Sequence, residues 1–301
     1  MLKNKVLVVG MDGLRFDRIA AVGAPVLLGL MATGAHGTSL LPYGEADAAH
    51  TGAKGQRVPV GPGGSRTISS RTDSGPGWSS IATGVWPDKH GVVDNLFTNA
   101  DYTKFPDFLT RAKAANPDLD VAALFSWAEL DRHGAFSGDI GTRVVLNGYT
   151  LTFTEADRRI AGLAESHLAS AGTDLTFVYF GDTDEVAHQL GPLCPEFEAA
   201  LLAQDAYLGR LLHAIGSRPS YDTERWTVLI TTDHGHVDAG GHGGVSDEER
   251  TTFVIGARMG EDLGGLRLGE ARLVDVAPTA LAALGVEVDP TWALDGVALR
   301  F

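Results

Sequence analysis

The sequence contains a single cysteine, Cys194, among its 301 residues. One thiol excludes an internal disulfide and also excludes a cysteine-based zinc site. Apolar runs are short, because none reaches the roughly 18 residues that a membrane helix needs. The opening segment, MLKNKVLVVGMDG, lacks the long apolar core and the small-residue cleavage site of a signal peptide. We therefore expect a cytoplasmic protein that has no membrane partner.

Positive charge is also scarce. The chain has 24 Lys and Arg residues against 38 Asp and Glu residues, so its net charge is −14. Such a chain repels a phosphate backbone, which argues against binding to nucleic acid polymers. A small anionic substrate is still possible, since bound metal ions reverse the local field. The hydrophobic content of 44% and the charged content of 21% are typical of a globular protein.

Apolar strand patterns alternate with helical patterns along the chain. This alternation predicts an α/β fold whose largely parallel central sheet is sandwiched between helices. The predicted strands are residues 5–9, 37–41, 121–125, 142–146, 175–180, 226–231 and 251–255. The predicted helices are residues 25–32, 105–115, 154–169, 195–215 and 273–284.

The sequence shows no repeat and no linker that would separate two domains, so we predict one catalytic domain over residues 1–301. Two insertions are expected in it, at about 44–73 and 96–150. The first is rich in Gly, Ser, Thr and Ala, and it reads as a long loop with a small hairpin near 58–60. Because it runs directly into residue 74, we interpret it as a lid on the substrate side. The oligomeric state is left open.

The segment from Ser74 to Asn95, SGPGWSSIATGVWPDKHGVVDN, begins with a hydroxyl that can act as a nucleophile. Gly75, Pro76 and Gly77 turn the chain sharply, and a short helix is predicted to follow. A serine at a strand-to-helix junction lies where helix amides receive an anion. The segment is predicted to end in a turn and a short apolar strand at 92–93. Taken alone, SGPG is more often an ordinary capped turn.

Carboxylates and histidines elsewhere in the chain favour the nucleophile. Three predicted strands lead into turns that contain Asp12, Asp184 and Asp233. Asp184 and His188 are four apart, so they share one face if the segment is helical. His234 follows Asp233 directly, and His242 lies among four glycines in the run GGHGG. Carboxylate and imidazole ligands without thiolate suit zinc, iron or manganese.

These motifs, in this order, resemble the alkaline phosphatase superfamily, most closely its type I phosphodiesterase and nucleotide pyrophosphatase branch. The matching motifs are Asp12, Ser74, the run TGVWPDKHGVVDN ending at Asn95, Asp184 with His188 and Gly191-Pro192, Asp233-His234-Gly235, and His242-Gly243. The agreement extends over nearly the whole chain. It departs from the family at the nucleophile, which is Ser in SGPG where the branch usually has Thr.

The resemblance implies two divalent metal ions, with zinc favoured and manganese or iron as alternatives. Asp184, His188 and His242 would hold one ion. Asp12, Asp233 and His234 would hold the other, with Ser74 as a further ligand. An amide at Asn95 would donate a hydrogen bond to a phosphoryl oxygen. His236 is given no ligand role by the pattern.

The implied activity is hydrolysis of a small phosphate ester, with nucleotides among the candidates, through a phosphoseryl intermediate on Ser74. Metal coordination would activate the serine hydroxyl, and a second ion would stabilise the leaving oxygen. Diesters or pyrophosphates are favoured. A phosphomonoesterase and a phosphonate or sulfate ester hydrolase are the alternatives, although Trp78 stands where the latter carry an arginine. A pseudoenzyme that binds an anion is a third hypothesis. Trp78 and Phe97 either stack on a substrate or belong to the core.

Overall fold

The computed structural model describes residues 2–44, 56–60, 64–170 and 172–301, with the backbone alone at 56–60 and 64–67. The strands of these residues are β1 (Lys3–Met11), β2 (Ala35–Leu40), β3 (Tyr43–Gly44), β4 (Gln56–Val60), β5 (Gly64–Ser69), β6 (Val121–Phe125), β7 (Thr142–Val145), β8 (Leu175–Phe180), β9 (Glu224–Thr231), β10 (Thr251–Arg258) and β11 (Leu266–Glu270).

The helices are α1 (Phe16–Val22), α2 (Pro25–Thr33), α3 (Ser74–Thr83), α4 (Pro87–His90), α5 (Phe108–Ala115), α6 (Glu129–Arg132), α7 (Gly148–Leu151), α8 (Phe153–Ser170), α9 (Asp182–Leu190), α10 (Pro195–Gly216), α11 (Asp247–Arg250) and α12 (Val276–Leu284). Short 3₁₀ turns occur at Tyr221–Thr223, Leu273–Asp275 and Pro290–Trp292.

The main sheet, as far as the chain is described, has eight strands in the order β11-β2-β10-β9-β1-β8-β6-β7. The central strand β1 is parallel to both β8 and β9, and β6 is parallel to β8 and β7. Only β10 is antiparallel to its two neighbours among these strands. The predicted α/β fold with a largely parallel sheet is confirmed.

The apolar run of β1 is explained by its position, because helices cover both faces of the sheet. Val6 and Val8 pack in one core layer, which includes α3 and α12. Leu7 and Val9 pack in the other layer, which includes α2, α8 and α10. All four side chains are fully buried. Burial of each side chain contributes about 1.5–3 kcal/mol to stability, so β1 fixes the position of the residues that follow its carboxyl end.

Three local predictions are wrong. No strand forms at 92–93. Val92 is buried by packing against the core, and this burial does not require hydrogen bonds to a neighbouring strand. The helix predicted to begin at residue 105 begins at Phe108, because Pro106 disfavours helix before it and Asp107 caps the first turn by accepting from Leu109 N–H. The 96–150 region is not a loop insertion, because β6 and β7 within it pair in the main sheet.

The predicted hairpin of the 44–73 loop is confirmed, since β4 and β5 pair as antiparallel strands beside the short strand β3. Residues 45–55 and 61–63 of this loop lie outside the described residues. Its role as a lid stays a prediction, and so does the single catalytic domain over 1–301. No described helix is by itself long and apolar enough to cross a membrane, and α1 with α2, bent by 111°, meets that criterion only as a pair.

Candidate active site

The carboxyl ends of three neighbouring parallel strands meet at one edge of the sheet. Asp12 follows β1, Asp184 lies in the first turn of helix α9, which begins one residue beyond β8, and Asp233 follows β9 closely. The register brings Met11 opposite Phe180, and Gly10 opposite Thr231. Parallel α/β sheets place their ligands at this edge.

Ser74 is the first residue of helix α3, which points its amino end at this edge. The serine Oγ lies 3.1 Å from His234 Nε2 and 3.5 Å from Asp12 Oδ1. The helix approaches so closely that a Cβ added at Gly77 would lie 2.7 Å from Asp233 Cβ. A glycine is therefore needed at position 77. The predicted strand-to-helix nucleophile thus lies among the predicted metal ligands.

One oxygen of Asp12 is fixed by neighbouring donors. Trp78 Nε1 donates to Asp12 Oδ2 at 2.8 Å, and the Tyr179 hydroxyl donates to the same oxygen. The six-membered ring of the Trp78 indole packs against Gly10, where an added Cβ would overlap it. Asp12 Oδ1 is thereby left to face Ser74. Trp78 is fully buried, so the core interpretation of this residue is correct and the stacking interpretation is wrong.

Two histidines are held with one ring nitrogen free for an ion. His234 Nδ1 lies 3.0 Å from the Gly235 carbonyl, and His242 Nδ1 lies 2.6 Å from the Thr72 carbonyl. A carbonyl oxygen only accepts, so in the neutral imidazole each Nδ1 carries the proton and each Nε2 keeps its lone pair. Fixing the tautomer in this way is how proteins prepare imidazole ligands.

The first candidate metal group contains Asp184, His234, His236 and His242, whose ligand atoms all lie within 4.8 Å of one another. Asp184 Oδ1 lies 2.9 Å from His236 Nε2 and 3.6 Å from His242 Nε2. His188, which we predicted here, borders the group, with its Nε2 2.8 Å from His242 Nε2 and 3.5 Å from Asp184 Oδ2.

His236 was not predicted to take part. Its ring is fully buried, and its Nδ1 has no hydrogen-bond partner within the described chain. The signal in the sequence was the D-H-G-H run itself, in which a second histidine follows the first by two residues. An irregular turn can direct both rings to the same point, but residue spacing does not determine this.

The second candidate group contains Asp12, Asp233 and His234, again with ligand atoms within 4.8 Å. Asp233 Oδ1 accepts from the Gly13 amide at 3.2 Å, whereas its Oδ2 is buried and has no donor among the described residues. An unpaired buried carboxylate oxygen costs free energy unless a cation meets it. The donor set fits a divalent ion. The assignment of individual ligands, with Ser74 as one of them, stays a prediction.

The protonation of the metal-free site shows the same need for cations. Burial, together with the Asp184 charge, raises the pKa of Asp12 to about 7. Burial and the two neighbouring carboxylates raise the pKa of Asp233 well above its usual value. Burial also lowers the pKa of His234, which keeps it neutral. For Asp184, burial is outweighed by the His236 hydrogen bond and nearby imidazoles, so its pKa is lowered.

Asn95 lies beside the amino end of helix α3. Its Oδ1 accepts from the Gly75 amide at 2.6 Å, although the side chain is otherwise exposed. With the oxygen occupied in this way, the NH₂ group is free to donate toward a bound anion. Phe97, two residues on, is 5% exposed and stacks on His133 at a centroid distance of 4.5 Å, so it belongs to the core.

Exposed apolar side chains adjoin the site at two places that sequence reasoning missed. Tyr149 is 68% exposed, and Leu96 is 72% exposed. Burial of its hydroxyl, together with the charges of Asp12 and Asp184, raises the pKa of Tyr149 to about 12. The phenol is therefore neutral and within electrostatic reach of the site. Nothing in the local sequence marks Tyr149, because it is brought there by the β7–α7 connection.

Comparison with known proteins agrees with this geometry. The chain is 24% identical over 253 residues to human ectonucleotide pyrophosphatase/phosphodiesterase family member 7, covering 77% of this chain and 48% of that protein. The chain thus spans about half the length of this relative.

Two solved structures share the fold. Murine ectonucleotide pyrophosphatase/phosphodiesterase 5 superposes with a TM-score of 0.64 at 15% identity, over 95% of this chain and 96% of that one. An inactive form of the murine protein was solved in complex with AMP. The phosphonate monoester hydrolase of Agrobacterium radiobacter gives a TM-score of 0.65 at 15% identity, over 99% of this chain and 76% of that one.

The sequence profile of the family described as type I phosphodiesterase / nucleotide pyrophosphatase matches residues 69–249, which is more than half of the chain. The matched range includes Ser74, Asn95 and five of the six predicted aspartate and histidine ligands. The resemblance inferred from the motifs is confirmed. The chain belongs to the type I phosphodiesterase / nucleotide pyrophosphatase family, a family of phosphoric ester hydrolases.

Proposed function

We propose that this chain hydrolyses small phosphate diesters or pyrophosphates, nucleotide derivatives among them, with Ser74 as nucleophile. The observation that carries the proposal is the position of Ser74 Oγ, 3.1 Å from His234 Nε2 and 3.5 Å from Asp12 Oδ1 at the amino end of helix α3. A hydroxyl in that place lies between groups that can hold two divalent ions.

The carboxylates and histidines of the site would hold two metal ions. Asp184, His188 and His242 would hold one ion, with His236 hydrogen-bonded to Asp184. Asp12, Asp233 and His234 would hold the other. When bound, zinc or a similar ion supplies Lewis acidity, which lowers the pKa of an adjacent hydroxyl and offsets negative charge on phosphoryl oxygens.

The chain's own groups position the ester. The NH₂ group of Asn95, beside the amino end of helix α3, would donate a hydrogen bond to a phosphoryl oxygen. Attack by Ser74 Oγ forms a bond to phosphorus and breaks the bond to one ester oxygen, which takes up a proton and leaves as the alcohol. The phosphoseryl group that forms keeps the other ester substituent. Hydrolysis of that group by water restores the serine. Tyr149 and Leu96 offer an apolar surface for the organic part of the ester.

A diester is favoured over a monoester because of the cations around the site. A monoester carries one more negative charge, which an additional cation would have to balance. Arg71 is paired with Asp73 at 2.9 Å, and Arg15 is paired with Asp17 and Asp238. Both arginines adjoining the site are therefore engaged by carboxylates.

A panel of p-nitrophenyl esters tests the proposal. The metal-loaded chain should hydrolyse bis(p-nitrophenyl) phosphate with a higher kcat/KM than the monophosphate, the phenylphosphonate and the sulfate. A preference for the monophosphate, phosphonate or sulfate would replace the diester assignment with that chemistry. Absence of turnover on every ester, with metal bound, would favour a non-catalytic anion-binding protein.

The nucleophile is tested by Ser74→Ala. This variant should lose turnover while its metal content stays near that of the unmodified chain, because aspartate and histidine side chains hold the ions. Metal content is measured by elemental analysis. Substantial activity in the alanine variant would remove Ser74 from its role.

A further inference from the structure

A second cleft, of about 500 Å³, lies at the edge of the sheet opposite Ser74. Its polar lining comes from Asn4 of β1, Arg225 and Thr227 of β9, Arg258 of β10, Thr279 of α12, and Arg300. Asn4 and Asp12 are eight residues apart along β1 and its end, which corresponds to about 26 Å at the strand rise per residue. The cleft is therefore separate from the candidate active site.

The sheet itself brings these side chains together. Asn4 pairs with Arg225, and Thr227 pairs with Arg258 across the next ladder. Arg225 and Thr227 are two residues apart on one strand, so both point to the same face. Four donor side chains of three neighbouring strands thus project from one patch of rigid sheet.

The charge of the lining contrasts with that of the chain. Three arginines and no aspartate or glutamate line this cleft, although acidic residues outnumber basic ones by 38 to 24 in the sequence. Arg225 and Arg300 make no hydrogen bond or ion pair with any described residue. Arg258 approaches Glu261 only at 3.6 Å, and both side chains are more than 40% exposed. Guanidinium groups that are exposed and at most weakly paired suit carboxylate or phosphate oxygens.

Thr227 supplies an independent observation. Its residue is 6% exposed, it lines the cleft, and its hydroxyl has no hydrogen-bond partner among the described residues. The hydroxyl opens into the cleft, where a ligand oxygen can reach it. The unused hydroxyl between Arg225 and Arg258 is the polar group that a ligand oxygen would satisfy.

The remaining wall is apolar. Ala282 and Ala283 of helix α12 line the cleft together with Leu299 and Phe301. The Phe301 ring packs on the backbone of Gly256, at 2.5 Å from the position a Cβ would take. The volume lies within the range of small-molecule pockets. We propose that this cleft binds a small phosphorylated molecule with an apolar or aromatic body, of the nucleoside monophosphate class.

Titration calorimetry of the metal-loaded chain with AMP, and separately with adenosine, tests this proposal. AMP binding should contain a component that Arg225→Ala weakens about tenfold, the usual effect of one charge-assisted contact. Adenosine should lack that component, because it offers the arginines no anion. Arg267→Ala is the matched control, since it removes an exposed arginine of β11 outside the cleft and should leave AMP binding unchanged.

Thr227→Val is a second variant that keeps the shape of the residue and removes only the hydroxyl. It should weaken the same component several-fold, and its melting temperature reports whether the fold is kept. AMP binding that is equal in the unmodified chain, Arg225→Ala and Thr227→Val would overturn the proposal, and so would an equal weakening by Arg267→Ala. Because none of these residues lies near Ser74, ester hydrolysis should be the same in all variants, and loss of the esterase proposal would leave this result intact.

Discussion

Substitution of Asn95 can distinguish a catalytic role from a structural role, because the two roles predict different changes in kcat/KM and in melting temperature. The Asn95 Oδ1 accepts a hydrogen bond from the Gly75 amide at 2.6 Å, and the side chain is otherwise exposed. This hydrogen bond is the contact through which Asn95 would contribute to stability. One hydrogen bond of this kind contributes about 0.5–1.5 kcal/mol to stability. For a chain of 301 residues this corresponds to a melting shift of about 1–3 °C.

The expected kinetic effect of Asn95→Ala is much larger. Loss of one preorganised donor to a developing oxyanion usually lowers turnover by about 10²–10³-fold, or about 2.7–4 kcal/mol. We therefore predict that Asn95→Ala lowers kcat/KM on the best diester by this factor and lowers the melting temperature by only 1–3 °C, as estimated above from about one hydrogen bond.

Asn95→Asp is the matched variant. It keeps an oxygen for the Gly75 amide, removes the NH₂ donor and adds a negative charge opposite the phosphoryl group. It should match or exceed the kinetic loss of the alanine variant with little change in melting temperature. Full activity in Asn95→Asp would show that Asn95 serves only to hold Gly75, and the donor role would have to be abandoned.

The remaining predictions concern the metal groups. EDTA should abolish activity, and zinc or manganese should restore it and raise the melting temperature, since an ion that binds only the folded state stabilises that state; full activity of the metal-free chain would contradict this. The gain in melting temperature on addition of metal should grow from pH 5 to pH 8. Because the pKa of Asp12 in the metal-free fold is raised to about 7, this fold binds more protons than the unfolded chain and loses stability as pH rises toward 7. His236→Ala, which removes the partner of Asp184 Oδ1, should weaken metal binding about 10–100-fold in competition titrations, whereas the exposed control His213→Ala should leave it unchanged.

The sequence predicted the sheet and the turns that carry the candidate ligands well, because both depend on local patterns. A continuous apolar strand must be buried on both faces, and its carboxyl end then lies at the ligand edge, as for Asp12 and Asp233. The helical spacing of Asp184 and His188 was equally local, and helix α9 places both beside His242.

What the sequence could not predict depends on contacts between distant segments. His236 reaches the site through an irregular turn, and Tyr149 reaches it through a strand-to-helix connection. Neither segment has a regular helix or strand repeat from which the direction of a side chain could be predicted. Trp78 was ambiguous because an aromatic residue beside a nucleophile suits a substrate as well as a core. Its burial follows from the close approach of helix α3 to β1, which no single segment reveals.

The contact between Trp78 and Gly10 restricts how this protein can vary. A methyl group at position 10 would overlap the outer ring of the indole, so Gly10→Ala alone should strain the core by about 1–3 kcal/mol. Phenylalanine at position 78 lacks that outer ring and would make room for the methyl group, at the loss of the donor to Asp12. The two positions are therefore coupled. A lineage that departs from glycine at residue 10 has to change residue 78 and also needs another donor to Asp12.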